Sequence, residues 1–168
     1  SYTGGRIHIP YVNTKKGVDL IREAKKRNLD ITASVSLANI VFSDKDIDDY
    51  NTNLKIIPPL RSEIDSNSLK EGLIDGTIDY LTSMHEPLNI DTKKVVFDDA
   101  TPGSIGLESV FGLMCNNFTL EKTIDILTRK KSIFEVQDHE IKDGSHADLT
   151  LCNPDKSYEF SIDNILST

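Results

Sequence analysis

The sequence predicts an α/β chain, a parallel sheet with helices packed outside it, followed by a short all-β appendage. Two observations carry this prediction. Up to about residue 134, short runs of apolar and β-branched residues alternate with segments whose apolar residues recur at helical spacing; that alternation implies a parallel sheet. From about residue 136 the rhythm changes to strand-length segments separated by Asp-Gly and Asn-Pro-Asp turn signals, with no helical pattern.

Each element follows from its own residues. "GRIHIPYV" (5–12) alternates Ile7 and Ile9 with other residues and ends at a turn, so it reads as a strand. "TKKGVDLIREAKKRN" reads as a helix capped by Thr14, with Val18, Leu20, Ile21 and Ala24 on one face and basic residues 25–27 at its C-terminal end. "DITASVSLANIVF" (30–42) is rich in β-branched residues and is expected to be one long strand. "SDKDIDDY" (43–50) is an acidic turn or helix start, and Pro58 and Pro59 make "NLKIIPPLR" (53–61) a loop. "SEIDSNSLKEGLIDG" (62–76) is a helix capped by Ser62 and stopped by Gly76. "TIDYLTS" (77–83) is a short strand, and residues 86–106 form a long loop of the kind that carries function. Two further helices are expected: 107–115, facing inward through Leu107, Val110, Phe111 and Met114, and 119–134, through Leu120, Ile124 and Leu127. That gives three or four β–α units. At 168 residues the chain is short of the roughly 250 of a closed eight-unit barrel, and it has no glycine-rich phosphate loop for a dinucleotide fold.

Composition narrows the function classes. A formal net charge of −8 leaves no basic face for a phosphate backbone, so no nucleic-acid partner is expected. No apolar run approaches the roughly 18–20 residues that span a bilayer. The start "SYTGGRIHIP" has no basic-then-apolar leader pattern, and Cys115 and Cys152 stand far apart without CxxC spacing. A cytoplasmic protein with reduced thiols is the expectation.

Four ordered segments resemble one family. "GGRIHIPYVNTKKGVDLIREAKKRNLDITASVS", "NLKIIPPLRSEIDSNSLKEGLIDGTIDYL", "GSIGLESVFG" and "GSHADLTLCNPDKSY" are similar to the second half of a dihydroorotase of the amidohydrolase superfamily. The resemblance implies the second half of a (β/α)8 TIM-like amidohydrolase barrel (residues 1–135) plus C-terminal strands of a composite β-sandwich (136–168). It also implies a metal centre at the C-terminal strand ends, where zinc activates water and a carboxylate shuttles the proton. The His-x-His pair and bridging lysine of the family's front half are absent here. A half barrel leaves an open sheet edge, so a missing N-terminal half or a second copy is an expected partner.

The resemblance also places the site. In "HIPYVNT" Tyr11 stands where the family has a histidine ligand, and in "ASVSLANIVF" Ala38 stands at the second, followed by Asn39. Ile57 replaces a substrate-holding Asn in the proline loop. The family's Thr-Asp-His-Ala-Pro-His reads "TSMHEP" and Leu88 here, so Met84 replaces the ligating Asp and Leu88 the last His, with His85 and Pro87 retained. Pro102 opens a loop similar to the one whose backbone lies against substrate. Neither a methyl nor a thioether replaces imidazole and carboxylate for zinc, so the expectation is no catalytic residue, no metal ligand and no cofactor. Glu86 lies one place from the lost Asp and is expected to face away. His8 with His85 makes too small a ligand set, and the pairs Asp48-Asp49 and Asp98-Asp99 read as loop solvation. Three functions are compatible with this: a dihydroorotase-family hydrolase of pyrimidine biosynthesis; a silent structural or regulatory subunit whose implied partner is aspartate transcarbamoylase; and a metabolite-binding cleft around Tyr11, Asn39 and His85.

Overall fold

The computed structural model describes residues 4–129, 141–147, 149–161 and 165–167. Three strands, β1 (Ile7–Ile9), β2 (Ile31–Ser36) and β3 (Tyr80–Thr82), pair in parallel in the order β1-β2-β3. Strand order follows chain order without a reversal, so successive connections progress in one direction along the sheet. The helices are α1 (Lys15–Lys26), α2 (Leu37–Val41), α3 (Glu63–Asp75), α4 (Val110–Asn117) and α5 (Leu120–Thr128). No described helix is long and apolar enough to cross a membrane.

Register gives the sheet two chemically distinct faces. His8 pairs with Thr32, Ser34 with Tyr80 and Ser36 with Thr82, and side chains alternate along each strand. Ala33 and Val35, with Ile9, Ile31 and Leu81 against them, therefore share one face and join the core with Val18 and Ile21 of α1 and Leu69 and Leu73 of α3. Each fully buried aliphatic side chain there contributes about 2 kcal/mol. The opposite face carries the hydroxyl-rich set His8, Thr32, Ser34, Ser36, Tyr80 and Thr82. Gly72 lets α3 approach closely, since a Cβ there would meet Ile78 at 3.1 Å and Val18 at 3.2 Å.

The caps fall where the sequence puts them. Thr14 accepts from Gly17 N and Ser62 from Asp65 N, while Gly76 ends α3 in the left-handed region at φ 79. Asp65 also accepts from Lys15 N at 2.8 Å, joining the N-termini of α1 and α3. At the other end of the sheet, Asp79 accepts from Ala33 N at 2.8 Å and pairs with Lys25 Nζ at 2.7 Å. Those bonds tie β3 to β2 and α1.

Three expectations are corrected. The long strand 30–42 stops at Ser36, because the Ser36 hydroxyl accepts from Asn39 N (3.2 Å) and donates to Asn39 Oδ1 (2.6 Å). That cap turns "LANIV" into α2, and burial of Leu37 and Ile40 outweighs their strand propensity. In α5 the inward face holds Thr123 and Ile126, whereas Leu120 and Ile124 face solvent. Arg129 fixes that rotation by donating to Leu73 O (3.1 Å) and Ile78 O (3.3 Å). Met114 is fully buried as expected, but Leu107 lies in a separate 3-10 turn (Leu107–Ser109) and is exposed.

The boundary expected at 135/136 lies outside the described residues. Beyond it the two turn signals are realised: Ser145 N donates to Lys142 O around Gly144, and Asp155 N to Asn153 Oδ1. The described residues of 141–167 contain no strand, and Leu149, Leu151 and Tyr158 are exposed.

Candidate functional site

A parallel sheet gathers the C-terminal ends of its strands at one rim, where α/β proteins place ligands. Here the rim is built from the residues after β1 (Pro10–Asn13), the start of α2, the turn Ser83–Leu88, and the loop 102–106.

Two of its residues sit in the left-handed backbone region without being glycine. Tyr11 has φ 53 and Met84 φ 46, each two residues past its strand end. Each costs about 1 kcal/mol and persists only where neighbours over-determine it. Around Tyr11 those neighbours come from Ser34: its hydroxyl accepts from Tyr11 N at 3.4 Å and its carbonyl from Val12 N at 2.8 Å. Beyond Met84, His85 bridges Ser104 in parallel, and Glu86 N donates to Ser104 O at 2.8 Å. Gly106 completes that junction, because a Cβ there would lie 2.5 Å from Ser83 O.

His8 and His85 are each hydrogen-bonded within the fold. His85 Nδ1 accepts from Gly106 N and Leu107 N, both at 3.3 Å. A ring nitrogen that accepts carries no proton, so in the neutral imidazole the proton is on Nε2. His8 spans two hydroxyls, with Nδ1 2.9 Å from Thr32 Oγ1 and Nε2 3.2 Å from Ser34 Oγ, and its ring centroid is 6.0 Å from that of Tyr80. Among the described residues no three His, Cys, Asp or Glu side chains converge as a metal site would require.

Two loops are cross-tied over this rim. Lys93 Nζ donates to Thr52 O (3.0 Å) and Gly103 O (2.6 Å), and Thr52 Oγ1 returns a bond to Lys93 O (2.7 Å). Lys55 Nζ donates to Phe97 O and Asp98 O and lies 5.4 Å from the Phe97 ring centroid. Burial, with the neighbouring Lys55 charge, holds the Lys93 ammonium below its ordinary pKa. Nearby, Glu108 accepts from Ser167 Oγ (2.7 Å) and from Leu166 N (3.0 Å); the Ser167 hydroxyl leads in holding its pKa below the usual carboxylate range.

The sequence-predicted positions separate into three groups. Tyr11, Ala38 and Met84 each lie two residues past a strand end at this rim, Ala38 within the first turn of α2, and His85 follows Met84. Asn39 is buried with both ends used, accepting from Ser36 Oγ and donating to Pro59 O (3.2 Å). Asn39 is therefore a structural bracket and not a cleft residue. Ile57 is exposed; Leu88, with Glu86, packs where a Gly103 side chain would otherwise stand. Pro102 is half-buried beside that contact. Sequence reasoning missed Ser34, Lys55, Lys93 and the Pro59 carbonyl, which also accepts from Asn13 Nδ2 at 3.0 Å. The every-second-residue series Thr32, Ser34, Ser36 was a signal for the first of these; a lone lysine in a loop carries none.

Zinc does not fit this donor set. It takes three or four ligands from thiolate, neutral imidazole and carboxylate. Tyr11 brings a phenol, Ala38 a methyl and Met84 a thioether, and the Nδ1 of His85 is used by two backbone amides.

The chain is 40% identical over 172 residues to a protein named dihydroorotase from Thermoanaerobacter sp. (strain X514), covering 98% of this chain and 40% of that one. It is 36% identical over 173 residues to one of the same name from Endomicrobium trichonymphae, covering 98% and 41%. It thus spans about two fifths of the length of these curated relatives. Among solved structures, the L-hydantoinase (dihydropyrimidinase) of Arthrobacter aurescens superposes with a TM-score of 0.68 at 24% identity over 79% of this chain and 31% of that one. An inactive dihydroorotase-like domain of a Chaetomium thermophilum CAD-like multifunctional protein gives 0.55 at 22% identity over 82% and 39%. At those identities the likeness is one of α/β fold alone. No family model matches the chain.

Proposed function

Since this chain belongs to the dihydroorotase family, of whose curated members it spans about two fifths, we propose that it derives from a cyclic-amide hydrolase of pyrimidine metabolism. We further propose that it keeps the hydrolase fold in a non-catalytic, structural or regulatory role. The observation that carries the second step is the donor set at the rim: Tyr11, Ala38 and Met84 stand at the three positions where the resemblance places ligands, and among the described residues no three His, Cys, Asp or Glu side chains converge. His85, the histidine kept in the rim turn, has its Nδ1 accepting from two backbone amides at 3.3 Å.

A divalent metal in such a hydrolase supplies a hydroxide at neutral pH by lowering the pKa of bound water. Holding that metal requires lone pairs aimed at one point. In this chain the Nδ1 lone pair of His85 is used to join the turn after β3 to the loop before α4. Ser36 and Asn39 likewise turn the chain into α2, and Pro59 O gathers Asn13 and Asn39. Groups that would do chemistry in a hydrolase here do architecture. The left-handed backbone at Tyr11 and Met84 fits the same reading, as strain kept at a former site after its side chains changed.

Metal content together with dihydroorotate hydrolysis, both measured on this chain and on any longer chain that carries it, tests the reading. The expected result is less than about one zinc per ten rim sites and no turnover above buffer. A stoichiometric zinc coordinated at this rim, with turnover that a chelator abolishes, would overturn it.

A further inference from the structure

The two acidic pairs of the sequence flank two aromatic rings that meet between separate loops. Tyr50 closes the turn Asp44–Tyr50 and is 75% exposed, and its ring meets that of Phe97 edge-on, with centroids 6.0 Å apart. Phe97 already receives a cation: Lys55 Nζ lies 5.4 Å from its centroid while donating to Phe97 O and Asp98 O. Val96 beside it is 68% exposed. Asp48 and Asp49 immediately precede Tyr50, Asp98 and Asp99 immediately follow Phe97, and all four are exposed. None of the four forms an ion pair among the described residues; Asp48 accepts only from Asp49 N. Most lysines of these loops are engaged elsewhere, Lys45 with Glu63 at 2.7 Å and Lys55 and Lys93 with backbone carbonyls, which leaves Lys94 against four carboxylates. A large exposed ring is ordinary by itself, but here the backbone is strained to present it. Asp49 (φ 50) and Tyr50 (φ 55) are both left-handed without being glycine.

We propose that this aromatic and acidic platform is a docking site for a segment of a partner protein that presents arginine beside an apolar side chain. The guanidinium stacks on the exposed Tyr50 ring and donates to the flanking carboxylates, and the apolar neighbour covers Val96. Charge complementarity selects this occupant. A planar guanidinium is more weakly hydrated than an ammonium and satisfies a ring and a carboxylate together, so arginine is preferred to lysine. The other occupants fit less well. Four carboxylates without a counter-ion repel a phosphate backbone. A second copy joined by a two-fold axis would set the same carboxylates against each other. Among the described residues no three acidic or histidine side chains converge on a point where a metal ion could sit.

The inference deepens the structural role proposed above and rests on it for the existence of a partner, but its test reads binding and neither metal nor turnover, so the two fail separately. The probes are two capped peptides, acetyl-Leu-Arg-Leu-Arg-amide and acetyl-Leu-Lys-Leu-Lys-amide, titrated into this chain at low salt and followed by amide NMR shifts. The arginine peptide is expected to bind more tightly than the lysine one, to shift residues 48–50 and 96–99, and to weaken as salt is raised. Tyr50→Ala and the double variant Asp49→Asn with Asp98→Asn are each expected to weaken it at least about threefold. Tyr50→Phe keeps the ring and should bind as the parent does, as should Glu121→Gln, which removes an exposed acid on α5. Circular dichroism melts confirm that each variant is folded. The proposal is overturned by absence of saturable binding, by binding indifferent to Tyr50→Ala, by an equal loss in Glu121→Gln, or by a homodimer of this chain that Tyr50→Ala dissolves.

Discussion

Gly106→Ala is the sharpest probe of the junction that His85 holds. The new Cβ would stand 2.5 Å from the Ser83 carbonyl oxygen, where real Cβ atoms essentially never come within 3.0 Å. Both partners are backbone, so the loop must retreat by about 0.5 Å. Gly106 N and Leu107 N lie 3.3 Å from His85 Nδ1, and the same retreat carries them past the roughly 3.5 Å limit of a hydrogen bond. Losing two such bonds at about 1 kcal/mol each costs about 2 kcal/mol. For a chain of this size that lowers Tm by roughly 4–8 °C. The assay is a thermal melt paired with nitrogen-15 NMR of the histidines. In the parent, His85 should show a bare Nδ1 and a protonated Nε2; in the variant the tautomers should mix. A variant that melts within about 1 °C of the parent, or a parent His85 protonated at Nδ1, would refute the geometry in which Nδ1 accepts from both amides.

Three further outcomes follow from particular contacts. Thr123 is fully buried and its Oγ1 has no hydrogen-bond partner among the described residues, so Thr123→Val should raise stability by about 1 kcal/mol, while Thr123→Ser should not; urea titration at constant m-value decides. Met84→Asp should bind no stoichiometric zinc in equilibrium dialysis, because Tyr11 and Ala38 would still leave the metal unheld. It should cost no stability, since Asp tolerates the φ of 46 better than Met does. The Asp65 carboxyl is held below its ordinary pKa, first by the Ser62 hydroxyl and then by Lys15 N. A depressed folded-state pKa gives stability that is present above the unfolded value near 4 and lost as pH falls through the folded value. Stability should therefore decline below about pH 4, and Asp65→Asn should flatten that acid limb and lower the plateau above it.

Much of the fold was legible because its signals are local. Thr14, Ser62 and Gly76 mark helix ends within a turn of themselves, and Ile7, Ile9 and the "ITASV" run mark strands by alternation or branching. The errors occurred where a local preference met a stronger partner. Residues 37–41 look like strand, yet the Ser36 cap and a core position for Ile40 make them helix. In α5 the most apolar stripe, Leu120 and Ile124, is not the buried one, since Arg129 anchors the helix to Leu73 and Ile78 and leaves Thr123 facing the core. The candidate site was legible as a set of positions and not as a set of contacts. Asn39 reads as a cleft residue until Pro59 O takes its amide.

By itself the sequence determined which donor types exist along the rim: a methyl at 38, a thioether at 84 and a single imidazole at 85. It also determined the alternation that makes the chain α/β, because hydrophobic period and capping chemistry act over a few residues. Only the tertiary structure decided what those groups are used for. His85 meets Gly106 across 21 residues, Tyr11 meets Ser34 across 23, and Asn39 meets Pro59 across 20. Contacts at such separations are set when strands and helices pack. The direction of a lone pair, and whether it is free for a ligand, is fixed only then.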